Sequence, residues 1–264
     1  MAILWLPFAS ESFARSSWPT VLKLLNQEPS KPYKDFSSTS DKDFLGLYKS
    51  ELSAISSSWA ELPESKKDGK STETKRLTNE YFHKRIGSLN AALFAGLDPN
   101  LAVGKDFSKL ADDVLTQVQK NPVANLEATQ NYDPSGQVGF CFGRALLVHH
   151  QLLKAGVKQE DIAKIFAAGQ LRVAQRIWNF HVAVMVRDAK HGFLVIDPLY
   201  EKPLSLKAWT ELTEGYDIKG TLSRARFYIS DPRRFLPSGE LYAVDQFENK
   251  YLKSYFDQLV LSMK

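Results

Sequence analysis

The one cysteine of the chain, Cys141, lies in the stretch Gly139-Phe140-Cys141-Phe142-Gly143-Arg144-Ala145. The run after it, Leu146 to Ala155, patterns as an amphipathic helix that stops at Gly156. A thiol at a helix N-terminus meets the positive end of the helix dipole and unpaired backbone N–H groups. Both favour thiolate, the form that attacks a carbonyl carbon. A lone cysteine is also a good small core residue, so this stretch alone leaves an inert reading open. Further on, His181 stands near the start of a β-branched run, and Asp197 closes the run that follows it. Nucleophile, base and orienting carboxylate thus occur in the order Cys-His-Asp, the three roles a thiol hydrolase needs. Each has a plainer alternative. A strand histidine can be a satisfied core residue, and Asp before Pro198 starts turns readily. One catalytic arrangement accounts for all three placements.

The elements that must position these residues can be read outward from them. Phe180-His181-Val182-Ala183-Val184-Met185-Val186 has the density of a central strand. Lys190-His191-Gly192 reads as a hairpin turn, and Phe193-Leu194-Val195-Ile196 as the partner strand. Antiparallel pairing brings Asp197 to the sheet end where His181 lies. A Cys-bearing helix packed across that sheet, with its N-terminus at the same end, would face the thiol to the free ring nitrogen. Ile165 to Leu171 leans towards strand, Arg226 to Ser230 reads as a further strand, and Gln246 to Met263 as one amphipathic helix. Upstream, Asp106 or Ser108 caps a helix through Val118 that stops near Pro122, and the turn-rich Asn131 to Gly136 leads to the cysteine. Before that the pattern is helical: a short helix over 21–25, a loop over 30–40, a helix from Asp41 or Asp43 through Ile55, a charged mobile loop or linker over 63–75, and a helix over 74–95. The expected fold class is α+β, with a mainly helical N-terminal region over 1–100 and a catalytic domain over 101–264.

Composition narrows the function. Of 264 residues, 44% are hydrophobic and 12% aromatic, enough for a real core. Net charge is +4, from 34 basic and 30 acidic residues that are interspersed, so no nucleic-acid footprint is expected. One cysteine allows neither an intramolecular disulfide nor a multi-cysteine zinc or iron–sulfur site. His149, His150 and His191 lack the i, i+4 spacing of a helical metal pair, and one of the adjacent two is expected on the polar surface of the Cys helix. No phosphate-binding glycine motif occurs, so neither metal nor cofactor is expected. No run reaches the ~18 apolar residues of a membrane-spanning helix. Residues 1–14 read either as a signal remnant, apolar from Ala2 to Ala9 with Ser12-Phe13-Ala14 as a cleavage context although no Lys or Arg precedes it, or as an apolar run that packs on the domain. Secretion or a periplasmic location is the expectation, with the cytoplasm left open. Oligomeric state is open too.

From about Tyr132 to Gln258 the chain resembles the protein-glutaminase (protein-glutamine deamidase) family, whose core is related to transglutaminases and papain-like cysteine proteases. The matching pieces are Cys141-Phe142-Gly143-Arg144-Ala145, the helix ending Leu152-Leu153-Lys154-Ala155-Gly156, and Phe166-Ala167-Ala168-Gly169-Gln170-Leu171. Trp178-Asn179-Phe180-His181-Val182-Ala183 follows, then Ile196-Asp197-Pro198-Leu199, Trp209, Phe227-Tyr228-Ile229-Ser230 and Leu241-Tyr242. Each piece is short; their order and spacing carry the likeness, over about half the chain. The resemblance implies a papain/transglutaminase-like core and a Cys-His-Asp hydrolase acting on side-chain amides of glutamine in a protein or peptide substrate. Cys141 would be nucleophile, His181 general base and acid, and Asp197 the orienter, with Trp178, Phe142 and Arg144 at the substrate cleft. Trp178 would wall the site, its plainer alternative being a core aromatic. Arg144 would support the thiolate or form a salt bridge elsewhere. The chain departs from better-known secreted members in having a single cysteine. Its first hundred residues match none of the family's pattern and read as a pro-segment, a targeting region or an accessory domain. A cysteine peptidase or a transglutaminase-like acyltransferase would use the same three residues, although Gln137 stands too near Cys141 for a papain-type oxyanion glutamine. A non-catalytic binding domain on a papain-like scaffold is the alternative of a different class.

Overall fold

Three runs dense in Val, Ile, Phe and Ala lie between Gly156 and Pro198, and in the computed structural model they build the centre of a five-stranded antiparallel sheet. Described are residues 18–30, 84, 86–88, 90, 91, 93, 94, 105–136, 138–173, 176–216, 225–235 and 241–263. The strands are β1 (Ile162–Val173), β2 (Arg176–Asp188), β3 (Gly192–Ile196), β4 (Leu204–Ser205) and β5 (Arg226–Ser230), in the order β4-β3-β2-β1-β5. The strand carrying His181 is therefore the middle one, as its apolar density predicts. The expectations for residues 1–14, 31–83 and 95–100 lie outside the described residues.

Both faces of the sheet are covered. Phe166, Val182, Val184 and Ile196 contribute to one apolar layer, and Ile165, Ala183, Met185 and Val195 to the other, as the period of two requires. The first layer holds α1 (Ser108–Lys120), α2 (Cys141–Lys154), the short α4 (Val244–Phe247) and α5 (Lys253–Ser262). The second holds α3 (Leu206–Glu214), whose Trp209 is fully buried. The fold is α+β, with the Cys-bearing helix packed on an antiparallel sheet.

Three expectations change. The helix α2 is not amphipathic in effect: every residue but Gln151 and Lys154 is buried, because β2, α1 and α5 pack around it. His149 and His150 are accordingly both buried, and neither lies on polar surface. The tail is two helices rather than one, because the Asn249 carbonyl accepts from Leu252 N and Lys253 N and its Oδ1 from Tyr251 N, which turns the chain between α4 and α5.

The described N-terminal residues pack on this core. Trp18 stacks on Phe247 at 4.5 Å between ring centroids, and Leu25 is fully buried. Asn90, also buried, donates to the Ala225 carbonyl (2.9 Å) and accepts from Phe227 N–H (3.0 Å) at the free edge of β5. An edge strand's open backbone groups are thereby satisfied by a side chain from far upstream.

Candidate active site

A buried carboxylate shapes the approach to the cysteine. Asp133 Oδ2 accepts from the backbone N–H of Val138 (2.9 Å) and Gly139 (2.8 Å), and its carbonyl accepts from Gly136 N. Pro134-Ser135-Gly136 was readable as a turn; that Asp133 organises it was not. The chain then passes through two left-handed residues, Gly139 (φ 67) and Phe140 (φ 49). Glycine is needed at 139 twice over: a Cβ there would also come within 2.9 Å of the Trp178 ring. Phe140 bears the strain of left-handed backbone, on the order of 1 kcal/mol or more. Full burial and stacking on Tyr255, 4.0 Å between centroids, hold it there. The outcome is an abrupt entry into α2 with Cys141 as its first residue and no side chain capping the helix. The thiol is buried, at 3% exposure.

The sheet supplies the other two groups. The register that pairs Val184 with Ile196, continued by one residue, sets Asp197 beside Ala183, a diagonal neighbour of His181 on the same face. His181 Nε2 and Asp197 Oδ2 are 2.7 Å apart, both residues being 2% exposed. Asp197 also accepts from Trp209 Nε1 at Oδ2 (2.8 Å) and from Leu199 N–H at Oδ1 (3.1 Å). The imidazole lies between two indoles, Trp178 at 5.7 Å and Trp209 at 6.0 Å between centroids.

Electrostatics within this group oppose burial and overcome it. Burial disfavours the imidazolium, but the charge and hydrogen bond of Asp197, with smaller contributions from Cys141, raise His181 to about 9. Burial likewise pushes the Asp197 carboxyl up, while His181, Trp209 and Leu199 N–H bring it below the ordinary carboxylate range. With Nε2 committed to Asp197, Nδ1 has no partner in hydrogen-bond geometry, and Cys141 is the thiol near enough to act on that ring. The arrangement can hold a proton between sulfur and imidazole while the carboxylate fixes the tautomer.

Of the residues expected at the site, Cys141, His181 and Asp197 are brought together, with Trp178 against the imidazole. Arg144, one turn along α2, is 2% exposed and forms no salt bridge among the described residues; its Nη1 donates to Thr129 Oγ1 at 3.4 Å. Phe142 is a core residue instead of a cleft residue: its ring meets Phe235 edge-on at 5.0 Å and stacks on Phe256 at 6.0 Å. It is the second residue of a helix buried on nearly every side, so it turns into the helical layer. Trp209 was missed as a partner of Asp197. Its one sequence signal was its place among the pieces of the family resemblance, which does not specify an indole N–H bond. Tyr255 was missed as well: its ring passes so close to Gly143 that a Cβ there would lie 2.3 Å from it. His149 bonds Gln159 through Nε2 (3.1 Å) and His191 bonds Asp188 through Nδ1 (2.7 Å). Among the described residues, no cluster of three metal-ligating side chains occurs, and no helix is long and apolar enough to cross a membrane.

Comparison with known proteins adds to this geometry. Residues 111–213 match the model of a family described as Glutaminase. No match was found among curated proteins. Among solved structures, the chain is similar to a crystal structure of protein-glutaminase at 20% identity and a TM-score of 0.39, covering 55% of this chain and 84% of that one. It is also similar to a crystal structure of pro-protein-glutaminase at 18% identity and a TM-score of 0.38, covering 55% of each chain. A mutant of that pro-protein, A47Q2, gives 20% identity, the same TM-score and the same coverage.

Proposed function

We infer that this chain, whose residues 111–213 match a family model described as Glutaminase, is a thiol amidohydrolase that converts glutamine side chains of proteins or peptides to glutamate with release of ammonia. The observation that carries the reading is the buried His181. Asp197 holds its Nε2, and its unpartnered Nδ1 is left to the Cys141 thiol at a helix start.

His181 Nδ1 takes the thiol proton, and Cys141 Sγ attacks the carboxamide carbon. The negative charge that develops on the amide oxygen is met by the backbone N–H of Cys141, uncapped at the start of α2. As the C–N bond breaks, the imidazolium gives its proton to the departing nitrogen, which leaves as ammonia. Water then attacks the thioester while His181 accepts its proton, the C–S bond breaks, and glutamate and thiolate are released. Trp178 and Trp209 keep bulk water from the imidazolium, and Asp197 holds the ring in one tautomer throughout. The division of labour along the chain is also a proposal. Residues 101–264 carry the chemistry, and the first hundred support it through contacts such as those of Trp18 and Asn90.

The test compares wild type with Cys141→Ala on a glutamine-rich protein, reading ammonia and intact mass together. Ammonia from the wild type alone, with chain length unchanged, is the expected result. Peptide fragments would mean a peptidase. Mass gain from an added amine, without net hydrolysis, would mean an acyltransferase. Equal signals from both proteins would remove the thiol from the mechanism.

A further inference from the structure

Beside the nucleophile turn lies a pocket whose charge the hydrolysis does not use. It is bounded by Leu126, Asp133, Gly139, Arg144, Arg176 and Trp178. Gly139 is two residues before Cys141, and Trp178 touches both Gly139 and the His181 ring, so the pocket adjoins the reacting centre. Two arginines line it. Arg144 is buried, yet among the described residues its Nη2 has no hydrogen-bond partner and its Nη1 has the long bond to Thr129 alone. Arg176, half-buried, lies across Gly136 and makes no ion pair or hydrogen bond among the described residues. The one carboxylate on the wall, Asp133, already accepts from Val138 N–H, Gly139 N–H and the Ser135 hydroxyl. Glu127 lines a neighbouring pocket on the other side of Leu126.

A guanidinium taken out of water without a counter-charge is costly, and a fold keeps one where something restores the balance. Among the described residues no carboxylate bonds Arg144 Nη2, and that nitrogen is closed to solvent. Planar guanidinium groups recognise carboxylates in a two-pronged geometry that an ammonium cannot offer. We propose that this pocket is a carboxylate subsite, and that Arg144 and Arg176 seat an acidic group of the substrate next to the glutamine being deamidated. The proposal rests on the amidohydrolase reading for its place beside the target amide. The carboxylate has two chemical sources: an Asp or Glu side chain flanking the glutamine, or the free α-carboxylate of a C-terminal glutamine. Leu126, 42% exposed at the mouth, offers an apolar rim for the adjoining substrate chain.

The experiment uses the full chain and short blocked peptides. Ammonia release is compared for peptides in which glutamine is flanked by Glu, Ala or Lys with an amidated end, and for one with C-terminal glutamine as the free acid. Wild type is expected to favour a carboxylate-bearing peptide over the Ala and Lys peptides by about tenfold in kcat/KM, the worth of one charge-assisted hydrogen bond. Arg176→Gln should bring that ratio below about threefold, and Arg176→Lys, which keeps the charge but not the fork, should restore part of it. Preference for the internal Glu peptide assigns the side-chain source, and preference for the free acid alone assigns the terminal one. Equal turnover of all four peptides by wild type, or an Arg176→Gln ratio unchanged from wild type, overturns the proposal. Calorimetric binding of a glutamine-free Glu peptide to wild type and Arg176→Gln separates the two readings. Binding lost in the variant, with no ammonia from any peptide, would sink the amidohydrolase while sustaining the subsite. No binding to either protein would sink the subsite whatever the ammonia result.

Discussion

At the scale of single residues, the site depends on how many donors one carboxylate can hold. Asp197 serves His181, Trp209 and Leu199 at once, so its position is over-determined and the imidazole inherits that precision. Trp209→Phe keeps a ring against His181 and deletes one N–H. A loss of about 1–3 kcal/mol in unfolding free energy is expected from that deletion. A drop in kcat at little-changed KM should accompany it, since the fully buried indole bonds the Asp197 carboxylate that holds His181. His181 itself makes stability depend on pH. Its folded pKa, about 9, lies above the ordinary histidine value, so the imidazolium's contribution is fully present below about pH 6.5 and is lost as pH rises through about 9. Urea midpoints should therefore fall across that window, and His181→Gln should flatten the fall. If wild type and variant decline in parallel, the imidazolium is not the source. His149 acts at the other end. Burial brings it down to about 3, so the folded form resists a proton that the unfolded chain accepts, and stability should fall as pH drops from about 6.5 towards 3.

At the scale of elements, two glycines decide where α2 begins and what lies over it. Gly139→Ala meets both a positive φ and the Trp178 ring; Gly143→Ala drives a methyl into the Tyr255 ring, where a Cβ would sit 2.3 Å away. Overpacking of this kind costs about 1–3 kcal/mol, and each variant should show it in chemical denaturation. Activity should separate them. Gly143→Ala reshapes the first turn of the nucleophile helix, and pairing it with Tyr255→Leu should recover stability by making room. Failure of that pairing to recover any stability would mean that Tyr255 is not the obstacle. The strands were more legible than the helices. Alternation and β-branching placed β2 and β3, although β2 begins at Arg176, so that His181 lies inside the strand and not near its start; the β2–β3 register still brings Asp197 diagonally next to it. The amphipathic pattern misled for α2, because β2, α1 and α5 pack around the helix and bury its polar residues with its apolar ones; Gln159 partners His149 Nε2, while Arg144 Nη2 and His150 Nδ1 have no hydrogen-bond partner among the described residues.

At the scale of the whole molecule, contacts distant in sequence hold the catalytic fold together. Trp18→Ala deletes a buried indole stacked on Phe247 and should cost about 3–5 kcal/mol. Asn90→Ala would leave the Ala225 carbonyl and Phe227 N–H of the sheet edge unpaired in a buried setting, a loss of roughly 2–3 kcal/mol. If the first hundred residues were only a removable cover, both variants would leave stability near wild type and touch activity alone. Thermal unfolding of the two variants decides it. Legible in the chain alone were the order Cys141, His181, Asp197, the strand pairing that brings His181 near Asp197, and the turn before a helix that Cys141 begins. Those properties follow from local periodicity, turn chemistry and register, which act over a few residues. What packing added is that Trp209 is the third donor to Asp197, that Phe142 belongs to the core, and that Arg144 is buried without a counter-ion among the described residues. Each is settled by which surface of one element meets which surface of another, and a residue's type and spacing do not encode that meeting. Cys141 is the clearest case: its address at a helix start was readable, but its partner was decided by how that helix crosses the sheet.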